Sequence, residues 1–306
     1  MKVLFLFGAG ASAYSGECYP TNPPLGADLF EVMEKEGLVP SSIDTTIRNK
    51  FIKDFEEGMY LLNEQGSQFY NPFQRNLAKF FARFSPGRSN FYCQLLGRLK
   101  QRNFLWKTTF STLNYDCLIE RSTSALSIPM RYGPRCLVEA KDVLPVYKVH
   151  GSCGFLPNLM GVTLNGCTFK GSKSDVDAPV QSTFQQKEIT DWCDNPAMNS
   201  ISPAMAMYMK GKRRAYCPSH IELHYTNWKR ALNSCSHCFI IGVRFSEEDN
   251  HIWQPCLEAK CVLNYIDPKP SNFMEWAKQN NREKVFHYSD TFEQALDLII
   301  EDVKMI

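Results

Sequence analysis

The chain has 306 residues, 44% hydrophobic and 13% aromatic, with 34 basic against 32 acidic side chains. That is enough to build one large α/β domain or two smaller ones. A net charge of +2 gives no footprint for nucleic acid as the main ligand, and no run after the N-terminal one is apolar for long enough to cross a bilayer.

Val3 to Phe7 is a continuous apolar run that suits a strand buried on both faces of a parallel sheet. Gly8, Ala9, Gly10, Ala11 and Ser12 follow, small residues that allow a tight turn, close backbone approach by a ligand, and a helix start that favours phosphate. Alone this is half a dinucleotide fingerprint. The same stretch also has the outline of a signal peptide, with Ala11-Ser12-Ala13 as an A-x-A site, although two glycines interrupt it.

Residues 14–25 read as a loop at the edge where ligands bind. Residues 27–105 read as a helical insertion: Ile47, Phe51, Ile52, Phe55, Met59 and Leu62 recur at helical spacing, as do Phe73, Leu77, Phe80, Phe81 and Phe84. These phenylalanines exceed what a small insertion needs for its own core, so they are expected either inside the monomer or at a subunit interface. The sheet resumes at Lys107–Ser111, leading into Thr112-Leu113-Asn114-Tyr115-Asp116 and a helix with Asp116 near its start. Pro145–Val149 is a further strand, ending in His150-Gly151-Ser152.

From Phe155 to about Ser219 periodicity is weak, as in a second insertion or a lid, and Lys210, Lys212, Arg213 and Arg214 read as a solvated loop. Cys238–Ile241 and Lys260–Ile266 are buried-type strands, followed by Gly242 and by Asp267-Pro268. A strand at Val285–Tyr288 and a helix at Thr291–Val303 close the chain, with Asp290 and Glu293 as a capping-box-like start. The twelve cysteines are scattered among apolar residues and read as buried free thiols in a reducing compartment. The single C-x-x-C, Cys235 to Cys238, enclosing His237, is a poor zinc signal, and no stoichiometric zinc is expected.

Five strand ends therefore carry glycine or polar signatures, and in a parallel sheet all five fall on one edge, where a nucleotide would lie. Together, GAGAS at 8–12, TLNYD at 112–116, VHGS at 149–152 and IIGVRFSEED at 240–249 resemble the sirtuin-type NAD-binding fold. They are most similar to the divergent bacterial sirtuin-like proteins that destroy NAD in antiphage defence. The resemblance implies a Rossmann-like parallel sheet in one domain, 1–306, with insertions at 27–105 and 155–219. It implies that Gly8, Ala9, Gly10 and Ser12 line the pyrophosphate and nicotinamide ribose. Asn114 and His150 would be catalytic, with Asp116 supporting the same pocket. Gly242 and Ser246 would approach the adenosine ribose and phosphates, and Asp267 the adenine-side ribose.

The residue types suit that chemistry. Loss of nicotinamide leaves an oxocarbenium-like ribose; an uncharged asparagine can orient water or ribose hydroxyls, and a histidine can act as general base. Taken singly, Asn114 could instead cap a helix and His150 could be a satisfied histidine at a strand end. Sirtuin deacylases carry two C-x-x-C pairs after the HG motif and a Phe-Gly-Glu segment, both missing here, and Arg244 stands where a small hydroxyl residue is common. The resemblance thus implies a cytoplasmic NAD hydrolase with NAD as substrate and no metal. It also implies a homo-oligomer gated by a partner protein or a phage-derived trigger. The alternatives are a non-catalytic NAD or ADP-ribose binding module and a protein deacylase.

Overall fold

A computed structural model describes residues 2–134, 143–159, 176–206 and 216–306. In chain order the elements begin with β1 (Val3–Phe7), a one-turn α1 (Ala9–Ala13) and β2 (Cys18–Tyr19). Four helices follow, α2 (Gly26–Lys35), α3 (Thr45–Lys53), α4 (Phe55–Gln65) and α5 (Ser67–Ala82), then β3 (Ser85–Pro86) and α6 (Phe91–Gln101). Next come β4 (Thr108–Thr112), α7 (Leu118–Ala125), β5 (Met130–Tyr132) and β6 (Leu144–Lys148). Beyond them lie β7 (Phe155–Pro157), β8 (Val180–Ser182), α8 (Gln186–Asp194) and α9 (Pro218–Ser234). The chain ends with β9 (His237–Ile241), α10 (Asn250–Glu258), β10 (Val262–Ile266), α11 (Ser271–Gln279), β11 (Val285–Tyr288) and α12 (Phe292–Met305).

Seven strands form one parallel sheet in the order β11-β10-β9-β1-β4-β6-β5. The run Val3–Phe7 is the central strand of that sheet and is fully buried. Its alternation divides the core. Val3, Phe5 and Phe7 face a layer with Phe110, Phe292 and the insertion helices, whereas Leu4 and Leu6 face Trp228, Trp253 and Phe273. The chain builds outward from β1 through β4 on one side and returns through β9 on the other. The β1/β9 boundary is therefore the point of order reversal where α/β sheets open a ligand crevice.

Several sequence expectations need correction. Phe51, Phe55, Phe73, Phe80, Phe81 and Phe84 are all buried in the same core as the sheet, with Phe30 and Phe51 stacked at 4.5 Å. These rings are not a subunit surface, because the insertion shares the sheet's core instead of keeping a separate one. The last helix is capped by Thr291 and Gln294 in a reciprocal capping box, not by Asp290 and Glu293. Strand β5, three residues long, escaped the sequence reading. In the low-periodicity stretch, β7 and β8 pair antiparallel and α8 is a regular helix, and α9 begins at its end. Lys210, Lys212, Arg213 and Arg214 lie outside the described residues. Among the described residues no helix is long and apolar enough to cross a membrane.

Candidate active site at the strand ends

One row of residues in mutual register crosses the sheet: Ile266 on β10, Ile241 on β9, Phe7 on β1, Thr112 on β4 and Lys148 on β6. Gly8, Gly242 and Asp267 each stand one residue beyond this row, and Asn114 and His150 stand two beyond. All five fall on the C-terminal edge because the pairing is parallel throughout.

At the β1/β9 boundary the two glycine turns are joined backbone to backbone. The Gly8 N–H donates to the Ile241 carbonyl at 3.0 Å and the Gly10 N–H to the Gly242 carbonyl at 2.9 Å. A Cβ on Gly8 would lie 2.5 Å from the Gly242 oxygen, and one on Gly242 only 2.2 Å from the Ala11 nitrogen. The first call on these glycines is thus turn-on-turn packing, and the amides of Gly8 and Gly10 are committed within the protein. From this loop Ala9 and Ser12 line the adjacent cavity. Gly242 also has φ +60°, a left-handed conformation that an L side chain adopts at a cost. Gly242→Ala is expected to lower the unfolding free energy by about 2–4 kcal/mol, from strain and overpacking together. A urea titration against the parent reads this, and an unchanged midpoint would mean that the turn relaxes.

Ser12 is the hub of the polar cluster. The Asn114 amide Nδ2 donates to the Ser12 Oγ and to the Gly8 carbonyl, both at 2.8 Å. A carbonyl can only accept, which fixes the amide nitrogen on that side. Ser12 Oγ also lies 3.1 Å from the Tyr92 hydroxyl and bonds the Asp116 carboxylate. One donor and two acceptor positions are thereby filled: Ser12 donates to Asp116 and accepts from Asn114 and Tyr92. The Asn114 backbone N–H is held by Thr112 Oγ1 at 3.0 Å. Asn114 does not cap α7; Asp116 does the local work, accepting from the Leu118 N–H at 3.0 Å.

Asp116 is buried, which pushes its carboxyl up, opposed chiefly by the Lys148 ammonium and the Leu118 N–H. Lys148 is itself buried, donating to the Asp116 carbonyl and lying 3.3 Å from Glu120 Oε1. Burial pulls its pKa down, but the anions around it, Glu120 foremost, leave it above the ordinary lysine value. Tyr132 donates to the same Glu120 oxygen at 2.9 Å. The Lys148 N–H donates to His224 Nδ1 at 3.0 Å, and burial, with His220 and Lys148 nearby, depresses His224 to about 3. His224 is therefore neutral at pH 7, as its role of acceptor requires.

His150 is buried at the turn after β6, its carbonyl accepting from the Ala206 N–H at 2.8 Å. Its Nε2 lies 2.9 Å from Nε2 of His251 on α10, and the rings lie 5.2 Å apart at 30°. Ser246 and Asp267 make local bonds instead of joining the Ser12 cluster. Ser246 Oγ accepts from the Glu248 N–H at 3.3 Å, and Asp267 Oδ1 accepts from the Lys269 N–H at 2.8 Å. The sequence reading missed Tyr92, Glu120, Lys148 and His251. Only His251, just past the FSEED stretch, had a signal that could have found it.

A cavity of about 140 Å³ lies between this cluster and the insertion, lined by Ala9, Ser12 and Asn114 below and Leu29, Phe55 and Phe81 above. The insertion helices thus form the wall opposite the strand ends. Among the described residues no three His, Cys, Asp or Glu side chains are grouped to hold a metal. His237 bonds Asn264 at 3.2 Å, and the ten described cysteines are free thiols.

No protein-family model matches the chain, and no curated protein matches it by sequence. Solved structures do match. A serine-to-alanine mutant of a Sir2 homologue, in complex with ADP-ribose, aligns over 99% of this chain and 92% of its own, at 14% identity and a TM-score of 0.50. A histidine-to-asparagine mutant of a Sir2 homologue, also with ADP-ribose, gives the same figures. The architecture is an α/β fold of the Rossmann-like class, a seven-stranded parallel sheet between helical layers. More narrowly, the fold is similar to that of these Sir2 homologues.

Proposed function

We propose that this chain binds NAD along the strand ends and hydrolyses it to nicotinamide and ADP-ribose. The observation that carries the reading is the register row, which sets Gly8, Asn114, His150, Gly242 and Asp267 along one edge. Four strand intervals separate β6 from β10, roughly 19 Å at the usual spacing, so the ligand that fits is elongated. ADP-ribose, the ligand in both Sir2 homologue complexes, is NAD without its nicotinamide. In this reading Gly8, Ala9, Gly10 and Ser12 face the pyrophosphate and nicotinamide ribose, and the Gly242–Ser246 loop and Asp267 take the adenosine side. The cavity beside Asn114 is smaller than the ~300–1,000 Å³ of a whole-ligand pocket and receives one end of the dinucleotide.

Asn114 has its amide hydrogens held, which leaves Oδ1 to orient water or a ribose hydroxyl, while His150 acts as general base. Asp116 supports the pocket through Ser12. We take residues 1–306 as one such domain, with 27–105 as its roof and 155–219 as a second insertion. Unrestrained NAD hydrolysis would exhaust the host cell, so we take the protein to be a gated effector of antiphage defence. The gate would be self-association, a partner protein or a phage-derived trigger.

The test is to incubate the full chain with NAD, with and without extract of infected cells, and separate the products by chromatography. Nicotinamide and ADP-ribose in equal amounts, without a peptide, are the expected products. Binding that never leads to cleavage, even with extract, would replace this reading with a silent NAD-binding module. Release that depends on an added acetyl-peptide would replace it with a deacylase.

A further inference from the structure

We propose that residues 202–206 are a releasable strap that holds the candidate site shut, and that the site is gated by release of this strap; the proposal rests on the hydrolase reading above. His150 is buried and does not belong to the walls of the cavity beside Asn114, so the proposed base and the proposed ligand space are kept apart in this conformation. The strap lies over the His150 turn. The Ala206 N–H donates to the His150 carbonyl at 2.8 Å, the Ser152 N–H to the Ala204 carbonyl at 3.1 Å, and the Ala204 N–H to the Phe155 carbonyl at 2.8 Å. Gly151 and Met205 form the antiparallel bridge of this short ladder. The fit is so close that a Cβ on Gly151 would come 2.1 Å from the Ala204 oxygen.

On its other side the strap is tied to the insertion and to the cavity wall. Two side-chain amides on α5 donate to it, Asn71 to the Ser200 carbonyl at its head at 2.7 Å and Gln74 to the Met205 carbonyl at 3.0 Å. Tyr115, which lines the cavity, donates its hydroxyl to the Ala206 carbonyl at 2.7 Å, and its own carbonyl accepts from the Cys153 N–H at 3.0 Å. Release of the strap therefore frees the His150 turn and a cavity side chain in one event. Polar bonds do most of the holding. Met205 is the only long apolar side chain in the strap, and its N–H turns back to the Pro203 carbonyl at 2.9 Å instead of extending the ladder. A segment with so small an apolar stake opens at low cost. The seal is also imperfect: Gln74 Oε1 is buried without a hydrogen-bond partner among the described residues, a penalty that water relieves once the strap lifts.

Two variants test this in the full chain. N71A removes a tie from α5, and A206P removes the N–H given to the His150 carbonyl. Each is expected to raise NAD cleavage without infected-cell extract by about 3–10-fold, and to tighten ADP-ribose binding in calorimetry by a similar ratio. Losing one such bond shifts a closed–open equilibrium by roughly that factor. Hydrogen–deuterium exchange should quicken over residues 150–155 and 202–206 and stay unchanged over Val3–Phe7. Faster exchange there, with cleavage and ADP-ribose binding no better than the parent's, would overturn the proposal and leave the segment a structural brace. Parent-like exchange in both variants would overturn it as well. If neither parent nor variants cleave NAD even with extract, the hydrolase reading fails separately, and exchange together with the ADP-ribose titration decides the strap.

Discussion

Alanine at Asn114 or at His150 is expected to slow NAD cleavage by about 10²–10⁴-fold while NAD still binds and the fold survives. The two residues act at different points. Asn114→Ala removes the amide that ties Ser12 to the Gly8 carbonyl, so water or the ribose loses its orienting group. The site is half-buried and solvent can replace those bonds, so the stability loss should stay near 1–2 kcal/mol. His150→Ala removes the proposed base, a buried side chain in the turn just past a strand and outside the sheet's apolar clusters. Nicotinamide release and NAD titration by calorimetry separate the two effects. Both variants cleaving as fast as an active parent would show that the chemistry lies elsewhere. Gly10→Val should behave differently, losing binding, because its turn lies against the Gly242 carbonyl.

The second large effect is on stability. Lys148→Met is expected to cost about 3–5 kcal/mol, because it strands a carboxylate in the interior. Lys148 and Glu120 are both essentially inaccessible, and among the described residues the other group bonding the Glu120 carboxylate is the Tyr132 hydroxyl. Methionine fills the space of the lysine stem without its charge, so the loss reports electrostatics and not a cavity. Combining it with Glu120→Gln should restore part of the stability, since removing both charges spares their desolvation. Urea midpoints for the parent, the single variants and the double variant give the coupling directly. Near-additive losses would mean that the pair contributes little as a pair.

Much of the architecture was legible because it rests on local patterns. Val3–Phe7 and Val285–Tyr288 have the observed strand limits, and the other four expected strands are displaced by no more than two residues at either end. Parallel pairing then places any residue just past a strand on a common edge, which is why Asn114 and His150 could be grouped from the sequence alone. What could not be read depends on long-range contact. Ser12 meets Tyr92 and Asn114 through three separate segments, and neither the Lys148–Glu120 pair nor the His150–His251 contact has a sequence spacing that announces it. The glycines were legible as a turn, yet their packing against Gly242 required knowledge that β9 lies beside β1.

That glycine contact also sets an order of events during synthesis. The turn after β1 leaves the ribosome more than two hundred residues ahead of the backbone it rests on, at Gly242. Contacts of such high sequence separation close late, after local helices have formed. A nascent chain or an N-terminal proteolytic fragment thus contains Ser12, Asn114 and His150 but lacks the second turn that shapes the ligand edge. Under the proposed NAD-consuming role, this delay would keep incomplete copies harmless to the cell that is making them.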